Sequence, residues 1–354
     1  MKNSTNNNLT IVLTLKDRPK FTKRWMSYMN DQQCPYKVLI ADGGKNRGIE
    51  KHLNNLSNYK NLNYEYIRYP FDKTIKDFYL KQIDVIEKVK TKYLINADND
   101  DFYLLEKIPQ LLDFLDKNLD YSGCRGSIAY FNLFYANKSI RAFDVGENYK
   151  IIKGPGKSIE NNLFIERAEN FFNNVNQEDL WQNYYCILRT SDFLECIRTT
   201  YKYNLQSLLL YEILFSLFLL NKGKVKVTDE IFYLRQIDVN GVSKKIFSSK
   251  NLLELHIIEY IPYYLNIFLK KKNLLPKQSE RIRIMKAYSN FIGIWCVLNF
   301  GEFNKKISAK LTIFFFLKQI FNGRIYFLVK KLREFLLISK RLRVPSIEKY
   351  IIEK

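Results

Sequence analysis

Three carboxylates fall within four residues at Asp98, Asp100 and Asp101, in the run Asn96-Ala97-Asp98-Asn99-Asp100-Asp101. Acidic side chains this close repel one another unless a cation or hydrogen-bond donors neutralise them. Hard divalent ions such as Mn²⁺ or Mg²⁺ take carboxylate oxygens and keep positions open for phosphate oxygens. The chemistry such a run supports is therefore metal-assisted handling of a phosphorylated ligand. The bland counterpart is a solvated acidic loop capping the helix that starts at Leu104. A calcium loop fits poorly, because no Gly and terminal Glu follow at EF-hand spacing. Position favours the metal: the run begins directly after a short apolar strand, Lys92 to Asn96.

Two other strand ends are polar in the same way, Thr14-Leu15-Lys16-Asp17-Arg18 and Ala41-Asp42-Gly43-Gly44. Each alone reads more readily as a helix cap, but in an open α/β sheet ligands collect at the carboxyl ends of the strands. Only two histidines exist, His52 and His256, which argues against a His-based triad or multi-His metal site and assigns acid–base chemistry to carboxylates. Both histidines read as packing or surface residues. Trp181, Tyr184 and Tyr185 read as core aromatics or as platforms for a sugar, and Arg235 reaches either a diphosphate or a surface carboxylate.

The elements that position these residues alternate as βα units. Leu9 to Leu15 predicts a buried strand, and Pro19 opens a helix to about Asp31. Strands follow at Tyr36 to Ala41 and Asn63 to Tyr69, then a helix from Ile75 to Val89, the strand before the acidic run, and a helix from Leu104 to Leu115. Farther on, a hairpin-like pair is predicted at Gly126 to Tyr135 and Ile140 to Val145, with an irregular loop around Gly154-Pro155-Gly156. Helices follow at Ser191 to Thr199 and Leu205 to Leu220. Gly223 ends the last of these before two short strands, Lys224 to Thr228 and Ile231 to Leu234. The fold class predicted is α/β, a mainly parallel central sheet flanked by helices. Beyond Phe247 the pattern changes to aromatic-rich helical segments with Lys and Arg between apolar faces. Residues 1–246 are therefore assigned to a catalytic domain and 247–354 to a basic helical one.

The chain has 354 residues, 47% hydrophobic and 15% aromatic, which is ample core material for a packed protein of two domains. Its net charge is +21. Residues 250–354 hold about 21 basic and 7 acidic residues, so roughly +14 of the excess lies in the last third. An AT-rich genome gives the same abundance of Lys, Asn, Ile, Tyr and Phe without any polyanionic partner. Cys34, Cys124, Cys186, Cys196 and Cys296 are scattered with no C-x-x-C pair, as expected of reduced thiols. With no signal-peptide pattern and no uninterrupted apolar span, a cytoplasmic location is expected, with the basic helices lying on the inner face of the membrane.

Taken together, three segments resemble the family-2 glycosyltransferases of the GT-A fold: Leu9 to Pro19 their first strand and loop, Lys37 to Gly44 their second strand, and Tyr93 to Phe102 their D-x-D loop. The resemblance covers about residues 9 to 105, in matching order and spacing. It implies that Thr14 and Arg18 line a nucleotide pocket, that Asp42 binds the base, and that Asp98 faces the ribose or metal. Asp100 would hold Mn²⁺ or Mg²⁺ against the donor diphosphate, with Asp101 a further ligand or a helix cap. Gly43-Gly44 departs from the acidic residue, Gly and Ser often found there. The family also needs a carboxylate that takes the acceptor proton. Leu209 to Glu212, ahead of a helix and Gly223-Lys224, resembles that position and makes Glu212 the preferred base, with Glu178 and Asp179 as alternatives.

The function expected is transfer of a sugar from a nucleotide donor, a UDP-sugar by analogy, to a glycan or lipid-linked acceptor with inversion. No nucleic-acid partner is expected, and the oligomeric state is left open. Two competing classes are a metal-dependent nucleotidyltransferase, whose Gly-rich loop is missing at Lys16 to Pro19, and a basic membrane-surface or nucleic-acid-binding protein, which has no need of the acidic run.

Overall fold

The structure is a computed structural model that describes residues 8–131, 134–136, 139–141, 152–153, 156–174, 182–202, 208–236, 265, 267–270, 274–275 and 277–300. These divide into two compact units, one of residues 8–160 with 182–236, the other of residues 161–174 with 265–300.

The first unit is built on one sheet. Its strands are β1 (Leu9–Leu15), β2 (Lys37–Asp42), β3 (Tyr64–Arg68), β4 (Tyr93–Ala97), β5 (Phe102–Tyr103), β6 (Tyr121–Phe131), β9 (Ile152–Lys153), β10 (Ile187–Arg189) and β11 (Lys224–Gln236); β7 (Phe134–Ala136) and β8 (Ser139–Arg141) form a separate antiparallel pair. The order is β3-β2-β1-β4-β10-β6-β11-β5, with β9 paired to β6 off this path. Pairs β3–β2, β2–β1, β1–β4 and β6–β11 are parallel; β10 runs antiparallel to both neighbours, as β5 does to β11. This is the mainly parallel α/β sheet predicted.

Helices α1 (Pro19–Asp31), α2 (Glu50–Asn54), α3 (Ile75–Glu87), α4 (Ile108–Lys117), α6 (Thr190–Lys202) and α7 (Leu208–Lys222) accompany the sheet. Every residue of β1 except Thr14 is buried, as an apolar strand covered on both faces must be. Helix α3 starts at a capping box in which the Thr74 hydroxyl accepts from the Asp77 amide and the Asp77 carboxylate accepts from the Thr74 amide. Such a cap contributes about 1 kcal/mol. The helix buries Tyr79, Lys81, Gln82, Val85 and Ile86.

The structure departs from the sequence reading in several places. Lys224 to Leu234 is one strand, not two, because shifts in register around Ile231 absorb the polar Thr228-Asp229-Glu230 as an irregularity within it. The strand read from Gly126 already begins at Tyr121. Ile187–Arg189 is a short strand inserted between β4 and β6.

In the second unit, α5 (Phe164–Asn174) packs on α8 (Gln278–Phe300), with Phe172 against Tyr288 and Phe291. Arg283 donates two hydrogen bonds, 2.9 and 2.6 Å, to the Glu169 carboxylate. Among the described residues no helix is long and apolar enough to cross a membrane.

Candidate active site at the ends of the parallel strands

Register brings the three polar strand ends together. Thr14 lies opposite Ala41 and Leu15 opposite Asp42 in the β1–β2 pair, while Leu13 lies opposite Ala97 in β1–β4. Thr14, Asp42 and Asp98, far apart in sequence, therefore share one edge of the sheet. There the oxygens of Asp98, Asp100 and Asp101 lie within 4.8 Å of one another.

The three carboxylates are held differently. Asp101 is buried and has both oxygens engaged: Oδ1 accepts from the Gln236 amide at 2.8 Å and Oδ2 from the Tyr233 hydroxyl. It ties the acidic loop to the end of β11. Asp98 accepts from the Tyr185 hydroxyl on Oδ2, and Asp100 pairs through Oδ2 with Arg18 Nη1 at 2.9 Å. No described residue donates to the second oxygen of Asp98 or of Asp100. Burial first, and then the charge of Asp100, push the Asp98 carboxyl up to about 6 and raise that of Asp101 as well.

These residues fit a hard divalent cation. Each of Asp98 and Asp100 offers an uncommitted oxygen, and a cation there would offset both the burial and the charge of Asp100 that raise the Asp98 carboxyl. Asp101, with one protein donor on each oxygen, anchors the loop and is also the third carboxylate of the cluster.

The loop after β1 is unusual in its backbone. Asp17 and Arg18 are both left-handed, with φ of 62° and 65°, and neither is glycine. Asp17 Oδ1 accepts from the Asn46 amide at 2.7 Å, which fastens this loop to the one after β2. The glycines there are required by contact. A Cβ on Gly44 would lie 2.5 Å from the Asp17 nitrogen, and one on Gly43 would lie 2.4 Å from Asp72. Asp42, buried, accepts from the Gly44 amide, the Tyr66 hydroxyl at 2.7 Å and Arg68 Nη1 at 2.7 Å. It stands at the predicted strand end with its oxygens already engaged by protein donors. Thr14 is half-buried beside it.

Beneath these loops lies an ion pair that sequence reasoning missed. The ammonium of Lys81, on α3, donates to Asp72 Oδ2 and to the Leu15 carbonyl, both side chains being 2% exposed. Burial raises the Asp72 carboxyl and lowers the Lys81 ammonium, while the attraction between the two opposes both shifts.

Glu212 lies on α7, partly buried between Tyr211 and Ile213, with no hydrogen-bond partner among the described residues. Burial pushes its carboxyl up to about 7, against the opposing charge of Arg235. Arg235, opposite Tyr130 on β11, is deprived of solvent, yet Tyr185, Asp101 and Tyr233 keep it firmly protonated. The same arginine thus lies in the field of Glu212 and of the acidic cluster. Glu178, Asp179, Trp181 and His256 lie outside the described residues.

Several residues support the cluster in ways the sequence did not indicate. Tyr185 stacks on Tyr233 with ring centres 4.8 Å apart, and each hydroxyl donates to one aspartate of the cluster. Arg24 donates to the Asp100 carbonyl at 3.0 Å and to Gln236 at 2.8 Å. His52 meets the Tyr59 hydroxyl at 2.9 Å, away from the cluster, as the packing role predicts. Cys34, Cys124, Cys186 and Cys196 are buried and unlinked, and burial holds the thiols of Cys34 and Cys186 up at about 12.

No family model matches the chain, and no curated protein sequence matches it. Among solved structures, the chain is similar to S. aureus TarS 1–349, at 10% identity over 87% of this chain and 78% of that one, with a TM-score of 0.53. It is also similar to S. aureus TarS 1–349 in complex with UDP-GlcNAc, at 11% identity over 86% of this chain and 78% of that one, with a TM-score of 0.54. At that identity the likeness is one of fold, and with the strand order it places the chain in the GT-A-type α/β architecture.

Proposed function

We propose that this chain is a glycosyltransferase that takes a sugar from a nucleoside-diphosphate donor, with a divalent cation held by Asp100 and Asp98. The observation that carries the reading is the cluster of three carboxylates at the mouth formed by β1, β2 and β4, two of them keeping an oxygen free. Support for a UDP-sugar as donor comes from the neighbour of the same fold captured with UDP-GlcNAc.

In this reading Thr14 and Asp42 border the nucleoside, and Arg18 serves the phosphates. Bound Mn²⁺ or Mg²⁺ would supply charge stabilisation of the leaving diphosphate. Glu212 takes the proton of the acceptor hydroxyl, because a carboxyl held near 7 is a far better base at neutral pH than one at its ordinary value. Attack from the face opposite the diphosphate inverts the anomeric centre. The acceptor, a hydroxyl of a surface glycan or lipid-linked saccharide, follows from the family resemblance.

The test is a donor-hydrolysis and transfer screen across nucleotide sugars, with Mn²⁺ present and absent. Asp100→Ala should abolish the metal-dependent reaction. Glu212→Gln should retain donor binding and lose transfer by a factor of about 10² or more. Glu178→Gln and Asp179→Asn are run beside it; if either loses transfer while Glu212→Gln keeps it, the base has been misassigned. Absence of turnover with every donor would remove the proposal.

A further inference from the structure

Arg18 is bound to the wrong partner for a residue that serves phosphates. Its Nη1 lies 2.9 Å from Asp100 Oδ2, and its guanidinium lies 4.2 Å over the Phe21 ring. Arg24, one turn into α1, donates to the Asp100 backbone carbonyl. Arg18 is thus the only described side chain paired with the Asp100 carboxylate. The pose is held against a backbone preference: two successive left-handed residues that are not glycine, Asp17 and Arg18, are needed to present the guanidinium there.

We propose that Arg18 is an exchangeable counter-cation, which pairs with Asp100 and transfers to the phosphates of a nucleoside diphosphate when a divalent cation joins the cluster and takes over the neutralising of its charge. The inference rests on the metal-dependent reading of the site above. Its physical basis is competition for one carboxylate. A divalent ion at Asp100 brings two positive charges against the guanidinium and weakens its hold. A diphosphate arriving with the ion offers that guanidinium a better partner, since arginine's planar fork matches phosphate oxygens and can bond two of them at once. The cluster then never carries an uncompensated triple negative charge, nor the ligand-bound site an uncompensated arginine. Arg18 is 29% exposed and heads α1, so its side chain can swing without disturbing buried packing. A consequence is linkage: metal alone binds against the positive charge of Arg18 and therefore weakly, whereas metal with nucleotide gives that arginine a new partner and binds tightly.

The experiment titrates Mn²⁺ into the full chain without nucleotide, following free Mn²⁺ by electron paramagnetic resonance, and then titrates UDP at saturating Mn²⁺ by calorimetry. Two variants are compared with the parent. Arg18→Met keeps an apolar stem over Phe21, and Arg18→Gly accepts the left-handed backbone without strain, so loss of folding is not the common cause of their behaviour. Both should bind Mn²⁺ alone about tenfold tighter than the parent, and both should bind UDP at saturating Mn²⁺ at least about tenfold more weakly. Parental Mn²⁺ affinity in both variants, or parental UDP affinity, would overturn the exchange while leaving the metal site intact. Failure of parent and variants alike to bind Mn²⁺ would remove the metal-dependent reading and this inference with it.

Discussion

At the scale of single residues, the price of a base poised near neutrality is stability. The Glu212 carboxyl sits near 7 in the folded chain against an ordinary value of 4.5, because burial disfavours its charge. A native value above the unfolded one means the folded state binds the proton more tightly. The residue is therefore neutral in its effect below the unfolded value and increasingly destabilising as pH rises from about 4.5 to 7. Above pH 7 the full penalty, about 3 kcal/mol at most, is present. Glu212→Gln should accordingly raise the thermal midpoint at pH 8, with the gain shrinking as pH is lowered towards 4.5. The transfer rate of the parent should rise through a pH near 7 as the base deprotonates. A variant no more stable than the parent at pH 8 would show that Glu212 is not strained by burial. Among residues, the acidic run was legible because three carboxylates in four positions demand a neutralising partner. Their donors were not: Tyr185 and Tyr233 lie 87 and 132 residues from the aspartates they bond, and nothing local marks either as a partner of the acidic run.

At the scale of elements, the end of β1, the segment between β3 and α3, and α3 itself are tied together by Lys81, which bonds the Leu15 carbonyl and Asp72. Breaking a buried pair by removing one partner leaves the other charge stranded and costs about 3–5 kcal/mol, whereas removing both charges costs much less. Lys81→Met should lower stability severely, and the double variant Lys81→Met, Asp72→Leu should recover part of the loss in denaturant titrations. A double variant as unstable as the sum of its singles would mean the two charges do not depend on each other. The strands β1, β2, β3 and β4 and helices α1 and α3 were readable because each is a long apolar or amphipathic run with a clear stop. The strands β5 and β10 span two and three residues and exist only through pairing with distant strands, so no periodicity announces them. In α5 the signal was present, since Ile165, Ala168, Phe171 and Phe172 are buried at helical spacing, but the glycine- and proline-containing stretch before it pointed to irregular structure. The departure at Gly43-Gly44 also has its reason in neighbouring chain: Asp17 and Asp72 occupy the space side chains would need.

At the scale of the whole molecule, charge and architecture divide the work. The sheet carries the acidic cluster, while the basic excess lies in residues 250–354, of which the described part is chiefly α8. Each exposed Lys or Arg near an anionic bilayer contributes about 1 kcal/mol, so this region is proposed to hold the protein against the membrane. The protein should pellet with vesicles containing phosphatidylserine at low salt and be released at high salt; recovery in the supernatant at both would end that proposal. The central claim, that a cation at the end of β4 binds a nucleoside diphosphate, is tested most directly by calorimetric titration of UDP into the full chain with and without Mn²⁺, beside the double variant Asp98→Asn, Asp100→Asn. The account predicts saturable UDP binding that requires Mn²⁺ and disappears in a variant that remains folded. UDP binding equal in parent and variant, or none in the parent with Mn²⁺ present, would contradict it.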